Sequence, residues 1–127
     1  MNNSFKILIV DDAALVVERL SDMLNEMGCI DFIFKANAYN AAVDIIKKQE
    51  PHFVLLDIQL IGRNGIELLG FIKQNYPNIV SIMLTNRVSD YYKEMCENMG
   101  ASFFIDKSSE FEKIPGIIES YITEVRI

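Results

Sequence analysis

Phe53-Val54-Leu55-Leu56 is a run of four apolar residues that meets a carboxylate, Asp57, without transition. Runs of this kind fit a central strand covered on both faces, as in parallel sheets. A charge placed at the end of such a strand is costly unless it is paired or bound to a metal. The turn-rich segment Gly62-Arg63-Asn64-Gly65 follows and releases the chain toward another helical pattern. Taken alone, Asp57 reads first as a residue that caps the next helix or leaves the strand into solvent. The other strand ends decide between these readings.

The same alternation runs through the chain. Ile7–Val10 is a first apolar strand that stops at Asp11-Asp12, and Val16, Leu20, Met23, Leu24 and Met27 then mark one helix face up to Gly28. Ile30–Phe34 is a less apolar strand suited to a sheet edge. A helix over Tyr39–Lys48 follows and is ended by Pro51. After the strand at Phe53–Asp57, Ile66, Leu68, Leu69 and Ile72 define a third helix. Ile79–Leu84 is a fourth strand, finishing at Thr85-Asn86-Arg87. Tyr92, Met95, Cys96 and Met99 mark a fourth helix closed by Gly100, and Ser102–Ile105 forms a fifth strand ending at Asp106-Lys107. Ile114, Ile117, Ile118 and Ile122 lie on a last helix, with Pro115 in its first turn.

Strands alternating strictly with helices imply right-handed crossovers onto a parallel sheet. Five units predict an α/β, doubly wound, five-stranded parallel sheet with helices on both faces and the flavodoxin-like order 2-1-3-4-5. The 127 residues fit a single domain, residues 1–127, with one core. In such sheets ligands bind beyond the carboxyl ends of the strands, at the switch point between the first and third. Asp11-Asp12, Asp57, Thr85 and Lys107 all fall at those ends.

Three carboxylates in one pocket repel, and oxygen donors of this kind suit a hard cation such as Mg²⁺. A carboxylate can attack phosphorus to give an aspartyl phosphate. A cation and a lysine ammonium stabilise the charge of phosphoryl transfer, and a threonine hydroxyl donates to a phosphoryl oxygen. Two other classes share parts of this set. A Mg²⁺-dependent aspartyl-phosphate phosphatase needs a general acid two residues beyond the nucleophile, where this chain has Gln59. A flavodoxin-like binding module needs a hydroxyl- and glycine-rich loop after the first strand, where this chain has Asp11-Asp12.

The net charge of −6 and the lack of a basic patch argue against nucleic acid as a partner. No apolar run approaches the ~20 residues of a membrane span, and the first strand is too short for a signal peptide. Cys29 and Cys96 are too few for a disulfide framework or zinc site, which fits a reducing cytoplasm. His52, the single histidine, reads as a solvent-facing residue at a strand start. Met23, Met27, Met95 and Met99 read as core, and of Tyr91 and Tyr92 one is expected to face the core and the other the surface.

With these residues in place, the chain resembles a response-regulator receiver domain, the phospho-acceptor module of two-component signalling, of the single-domain chemotaxis-regulator kind. Ile7-Leu8-Ile9-Val10-Asp11-Asp12 matches the opening strand and acid pair. Leu55-Leu56-Asp57-Ile58 with Gly65 matches the acceptor motif, and Thr85, Gly100-Ala101 and Lys107 match the hydroxyl and lysine positions. The resemblance implies phosphorylation of Asp57 by a histidine kinase or phosphotransfer protein. It also implies Mg²⁺ held by Asp11, Asp12, Asp57 and the Gln59 backbone carbonyl, and phosphoryl contacts from Thr85 and Lys107. Thr85 and Phe104 would form the switch, and Gln59, Asn86 and Arg87 would tune dephosphorylation. Such a chain is a signalling protein that assists its own phosphotransfer, not an enzyme acting on other substrates. Because the sequence ends soon after the fifth helix, output is expected through the 88–125 surface, to a separate protein or a phosphorylation-dependent homodimer mate.

The chain departs from the family pattern at four places. Ile61 stands where many relatives have proline, and Asn86 where most carry a small residue. Phe104 replaces the usual tyrosine, and Ser108 replaces a proline that follows the lysine in a cis bond. The lysine must still be aimed, so the Lys107–Ser108 bond is expected to be cis if its loop over-determines it.

Overall fold

The structure is a computed structural model that describes residues 5–60, 64–86 and 90–126. Five strands form one sheet in the order β2-β1-β3-β4-β5, with every neighbouring pair parallel. They are β1 (Phe5–Val10), β2 (Ile30–Ala36), β3 (Phe53–Asp57), β4 (Val80–Thr85) and β5 (Phe103–Asp106). Helices α1 (Ala14–Glu26), α2 (Tyr39–Gln49), α3 (Gly65–Asn75), α4 (Asp90–Asn98) and α5 (Ile114–Arg126) connect and follow them, with a short 3₁₀ turn at Phe111–Lys113 before α5. The predicted fold class and strand order are the observed ones.

Alternation along β1 explains the two layers. Ile7 and Ile9 point to one face and join Leu20 and Leu24 of α1 with Ile114, Ile118 and Ile122 of α5. Leu8 and Val10 point to the other and meet Ala42 and Ile46 of α2, Leu68, Leu69 and Ile72 of α3, and Cys96 of α4. These side chains are excluded from water, and each fully buried leucine or isoleucine contributes about 1.5–3 kcal/mol. β3 is buried at all five positions because it sits in the middle of the sheet under both layers.

Chain punctuation follows the residues. Gly28 (φ 75°) and Gly100 (φ 95°) take left-handed backbone just beyond α1 and α4. α2 ends one residue earlier than its proline, on Glu50 in the left-handed region. Asn64 caps α3 by accepting from the Glu67 N–H at 2.9 Å. Met23, Met27 and Met99 are partly buried against the two clusters. Tyr91 and Tyr92 differ from expectation: both are exposed, at 67% and 40%, with rings edge-to-face at 5.5 Å. Tyr92 does share a helix face with Cys96. However, it lies a turn nearer the open ends of the strands, where it lines a cleft with Leu60, Ile66 and Thr85 instead of entering the core. No helix among the described residues is long and apolar enough to cross a membrane.

Candidate functional site

The parallel sheet brings the carboxyl ends of β1, β3, β4 and β5 to one edge of the molecule, and the polar residues that end these strands meet there. Asp11 is buried directly after β1, and its Oδ1 accepts the Ala13 N–H at 2.9 Å. Asp12, beside it, is exposed. Asp57 closes β3 and is 8% exposed, with the Gln59 N–H donating to its Oδ1 at 3.3 Å. Each of Asp11, Asp12 and Asp57 offers a carboxylate oxygen, and these oxygens all lie within 4.8 Å of one another.

Lys107 supplies the opposing charge. Its Nζ lies 2.5 Å from Asp11 Oδ2 and 3.2 Å from Asp57 Oδ2. The main chain carries the lysine to that place, since the Lys107 N–H donates to the Thr85 carbonyl at 2.8 Å and extends the β4–β5 pairing by one residue. Burial holds the Asp57 carboxyl above the usual carboxylate range. The Lys107 charge works against this, and the Asp11 charge reinforces it.

The Lys107–Ser108 bond is trans, contrary to the cis expectation. Without proline a cis bond costs roughly 3 kcal/mol, and here the turn is closed by side-chain bonds instead. Asp106 accepts from the Ser108 N–H at 2.9 Å, the Ser108 hydroxyl at 2.6 Å and the Ser109 hydroxyl at 3.1 Å. These donors hold the Asp106 carboxyl below its ordinary value. Sequence reasoning missed this role; the signal was Asp-Lys-Ser-Ser, an acid followed by hydroxyls at turn spacing.

In the sequence Gly65 stands only as part of the acceptor motif, and the structure supplies its reason. Its N–H donates to the Ile58 carbonyl at 2.5 Å, and a Cβ there would strike the Asp57 backbone carbonyl. Thr85 is buried at the end of β4, and Gln59 and Asn86 are exposed around the opening. Phe104 is partly buried against the α2–α3–α4 cluster. Arg87 and Ile61 lie outside the described residues. His52 is exposed at the far end of β3 from Asp57, where its Nδ1 accepts the Lys6 N–H at 3.1 Å. A second cleft, not foreseen from sequence, opens beside Asp11 and Asp12 and is lined by Val17, Glu18, Lys35 and Asn37.

Three clustered carboxylates suit a hard divalent cation bound through oxygen, and the ammonium bridging two of them shows how strongly the pocket calls for positive charge. An acidic pocket closed by a lysine, at the switch point of a flavodoxin-like sheet, defines a phospho-acceptor class of signalling domain rather than a flavin site. The family described as response regulator receiver domain matches residues 7–119, and the chain belongs to it. Members are the phospho-acceptor modules of two-component systems.

Solved structures agree in fold. The signal receiver domain of a DNA-binding response regulator from Colwellia psychrerythraea 34H superposes with a TM-score of 0.88 at 24% identity, covering 94% of this chain and 99% of that one. The BeF3-activated receiver domain of Klebsiella pneumoniae RstA gives 0.84 at 25% identity, covering 92% and 97%. Salmonella typhimurium RcsB, studied for DNA interaction, gives 0.88 at 17% identity; 97% of this chain is covered, which spans 62% of that protein's chain.

Proposed function

We propose that residues 1–127 act as a single cytoplasmic receiver domain that takes a phosphoryl group onto Asp57 from a histidine kinase or phosphotransfer protein. The observation that carries this reading is the Lys107 ammonium bridging Asp11 and Asp57, with Asp12 in the same cluster. An Asp57 oxygen forms the new bond to phosphorus. The bond from phosphorus to the donor's histidine nitrogen breaks, and its electron pair leaves with the imidazole. Mg²⁺, held by Asp11, Asp12, Asp57 and the Gln59 carbonyl, would neutralise phosphoryl oxygens during transfer.

The chain's own groups do the rest. Burial makes the Asp57 carboxylate more basic than a free one and so a better nucleophile once ionised. Lys107 shifts from the Asp57 carboxylate to a phosphoryl oxygen, and Asp11 keeps its ammonium in place. The Thr85 hydroxyl donates to another phosphoryl oxygen. As Thr85 moves inward Phe104 turns with it, and the surface of α4, β5 and α5 changes for a protein partner. Tyr91, Glu94, Met95, Asn98 and Met99 line a groove along α4. Return to the resting state needs a water in line with the new bond, in the space that Gln59, Asn86 and Arg87 would govern.

The phosphatase alternative gains nothing from the site. Gln59 occupies the general-acid position, and an amide cannot protonate a leaving group. Amide NMR shifts on adding beryllofluoride with Mg²⁺ test the switch. They are expected to spread from Asp57 through α4 and β5, and shifts confined to the pocket would remove the basis for the switch.

A further inference from the structure

β5 lies at an edge of the sheet, and its pairing with β4 continues to Lys107, whose N–H donates to the Thr85 carbonyl. Backbone groups of successive strand residues point in opposite directions, so those of Asp106 face away from β4, off the sheet. Groups left that way need partners. Glu110 supplies both. Its Oε1 accepts the Asp106 N–H at 3.1 Å, and its own N–H donates to the Asp106 carbonyl at 2.8 Å. Asp106 in turn holds Ser108 and Ser109 through its carboxylate. Lys107 therefore stands between fastened neighbours, the one before it gripped by Glu110 and those after it by Asp106.

Glu110 is itself anchored. Phe111, the next residue, is buried in the cluster formed with α1 and α5, and Arg19 of α1 places its guanidinium carbon 4.3 Å from the centre of that ring. The second Glu110 carboxylate oxygen meets Lys113 Nζ at 3.0 Å, but the Lys113 side chain is 64% exposed and such surface pairs contribute little. The bond to the Asp106 N–H is thus the contact that matters. Where the family pattern fixes this turn with a proline after the lysine, this chain fixes it with a carboxylate three residues beyond the lysine.

The lysine that this clasp carries has a rival. Its Nζ, 2.5 Å from Asp11 Oδ2 and 3.2 Å from Asp57 Oδ2, sits on two of the carboxylates that would hold Mg²⁺. Two cations drawn to one carboxylate pair compete, and how firmly the main chain holds the lysine weights the outcome. We propose that Glu110 is a positioning residue for Lys107: by closing the turn on the open edge of β5 it holds the ammonium between Asp11 and Asp57, in competition with Mg²⁺ and ready to meet a phosphoryl oxygen. Only the last clause rests on the acceptor role proposed for Asp57.

Two measurements on the full chain test this: amide NMR titration with Mg²⁺, and labelling by acetyl phosphate at saturating Mg²⁺. Glu110→Ala frees the turn, so Mg²⁺ is expected to bind severalfold more tightly while the labelling rate falls roughly tenfold. Glu110→Gln keeps an oxygen for the Asp106 N–H and should return both to the parent's values. Lys113→Ala removes only the surface pair and should leave both unchanged. A general loss of fold would weaken Mg²⁺ binding and labelling alike, and that result overturns the proposal. So does a Glu110→Ala protein that binds Mg²⁺ as the parent does, or one whose tighter Mg²⁺ binding leaves the rate unchanged. A Glu110→Gln protein that behaves as Glu110→Ala does overturns it as well. If the parent takes up no phosphoryl group, the acceptor reading fails, and the Mg²⁺ titration still decides on the clasp.

Discussion

Replacing Lys107 with methionine keeps the length of the side chain and removes the cation that bridges Asp11 and Asp57. Two carboxylates, one fully and one largely buried, are then left facing each other. At the 4.8 Å that bounds their separation, and an effective dielectric constant of 20, their repulsion is about 3 kcal/mol. Breaking a buried pair by removing one partner typically costs 3–5 kcal/mol, which agrees. The variant escapes part of this cost by binding a proton at Asp57, whose carboxyl burial already holds above its ordinary value and which loses the ammonium that opposed the rise. The folded state then holds the extra proton, and stability falls as pH rises from about 4 through the raised folded value. Urea denaturation in the presence of a chelator should therefore show a loss of about 3 kcal/mol at pH 7 and a clearly smaller loss at pH 5. Saturating Mg²⁺ should recover part of the loss at pH 7, because a cation bound only by the folded state replaces the ammonium. A Lys107→Met protein as stable as the parent at pH 7, or one indifferent to both pH and Mg²⁺, would refute this electrostatic account.

Three further outcomes follow from the same pocket. Asp57→Asn removes a carboxyl that burial holds above its ordinary value. It should raise the melting temperature at neutral pH, with the gain growing as pH rises above about 4 and vanishing below it. Gly65→Ala drives a methyl group into the Asp57 carbonyl and should cost roughly 1–3 kcal/mol in urea denaturation, while displacing the acceptor and slowing its modification. Asp106→Ala removes the carboxylate that closes the turn after Lys107, so labelling by a small phosphodonor should slow several-fold with little change in melting temperature.

The fold was legible because the apolar runs are short, nearly pure and each ended by a polar residue. That pattern leaves few options besides a parallel sheet with crossover helices. The site was legible for the same reason: once the strands are parallel, Asp11, Asp12, Asp57, Thr85 and Lys107 must share an edge. What was not legible depended on distances of a few ångströms. The bond after Lys107 was expected to be cis because the family's turn aims the lysine. Asp106 closes that turn with side-chain bonds that strand periodicity does not reveal. Tyr92 was assigned by helical spacing alone, which gives the face a residue is on but not whether the helix still covers the core at that height. The reason for Gly65 lies in the path of the chain after Asp57, which motif spacing does not give.

The central claim is that Asp57 is the acceptor, and mass spectrometry of the intact chain with acetyl phosphate and Mg²⁺ tests it most directly. The account predicts a gain of one phosphoryl group, located on Asp57 by borohydride reduction and peptide mapping, not formed when a chelator replaces Mg²⁺ and absent in Asp57→Asn. The same gain in Asp57→Asn, at the parent's rate, would contradict it.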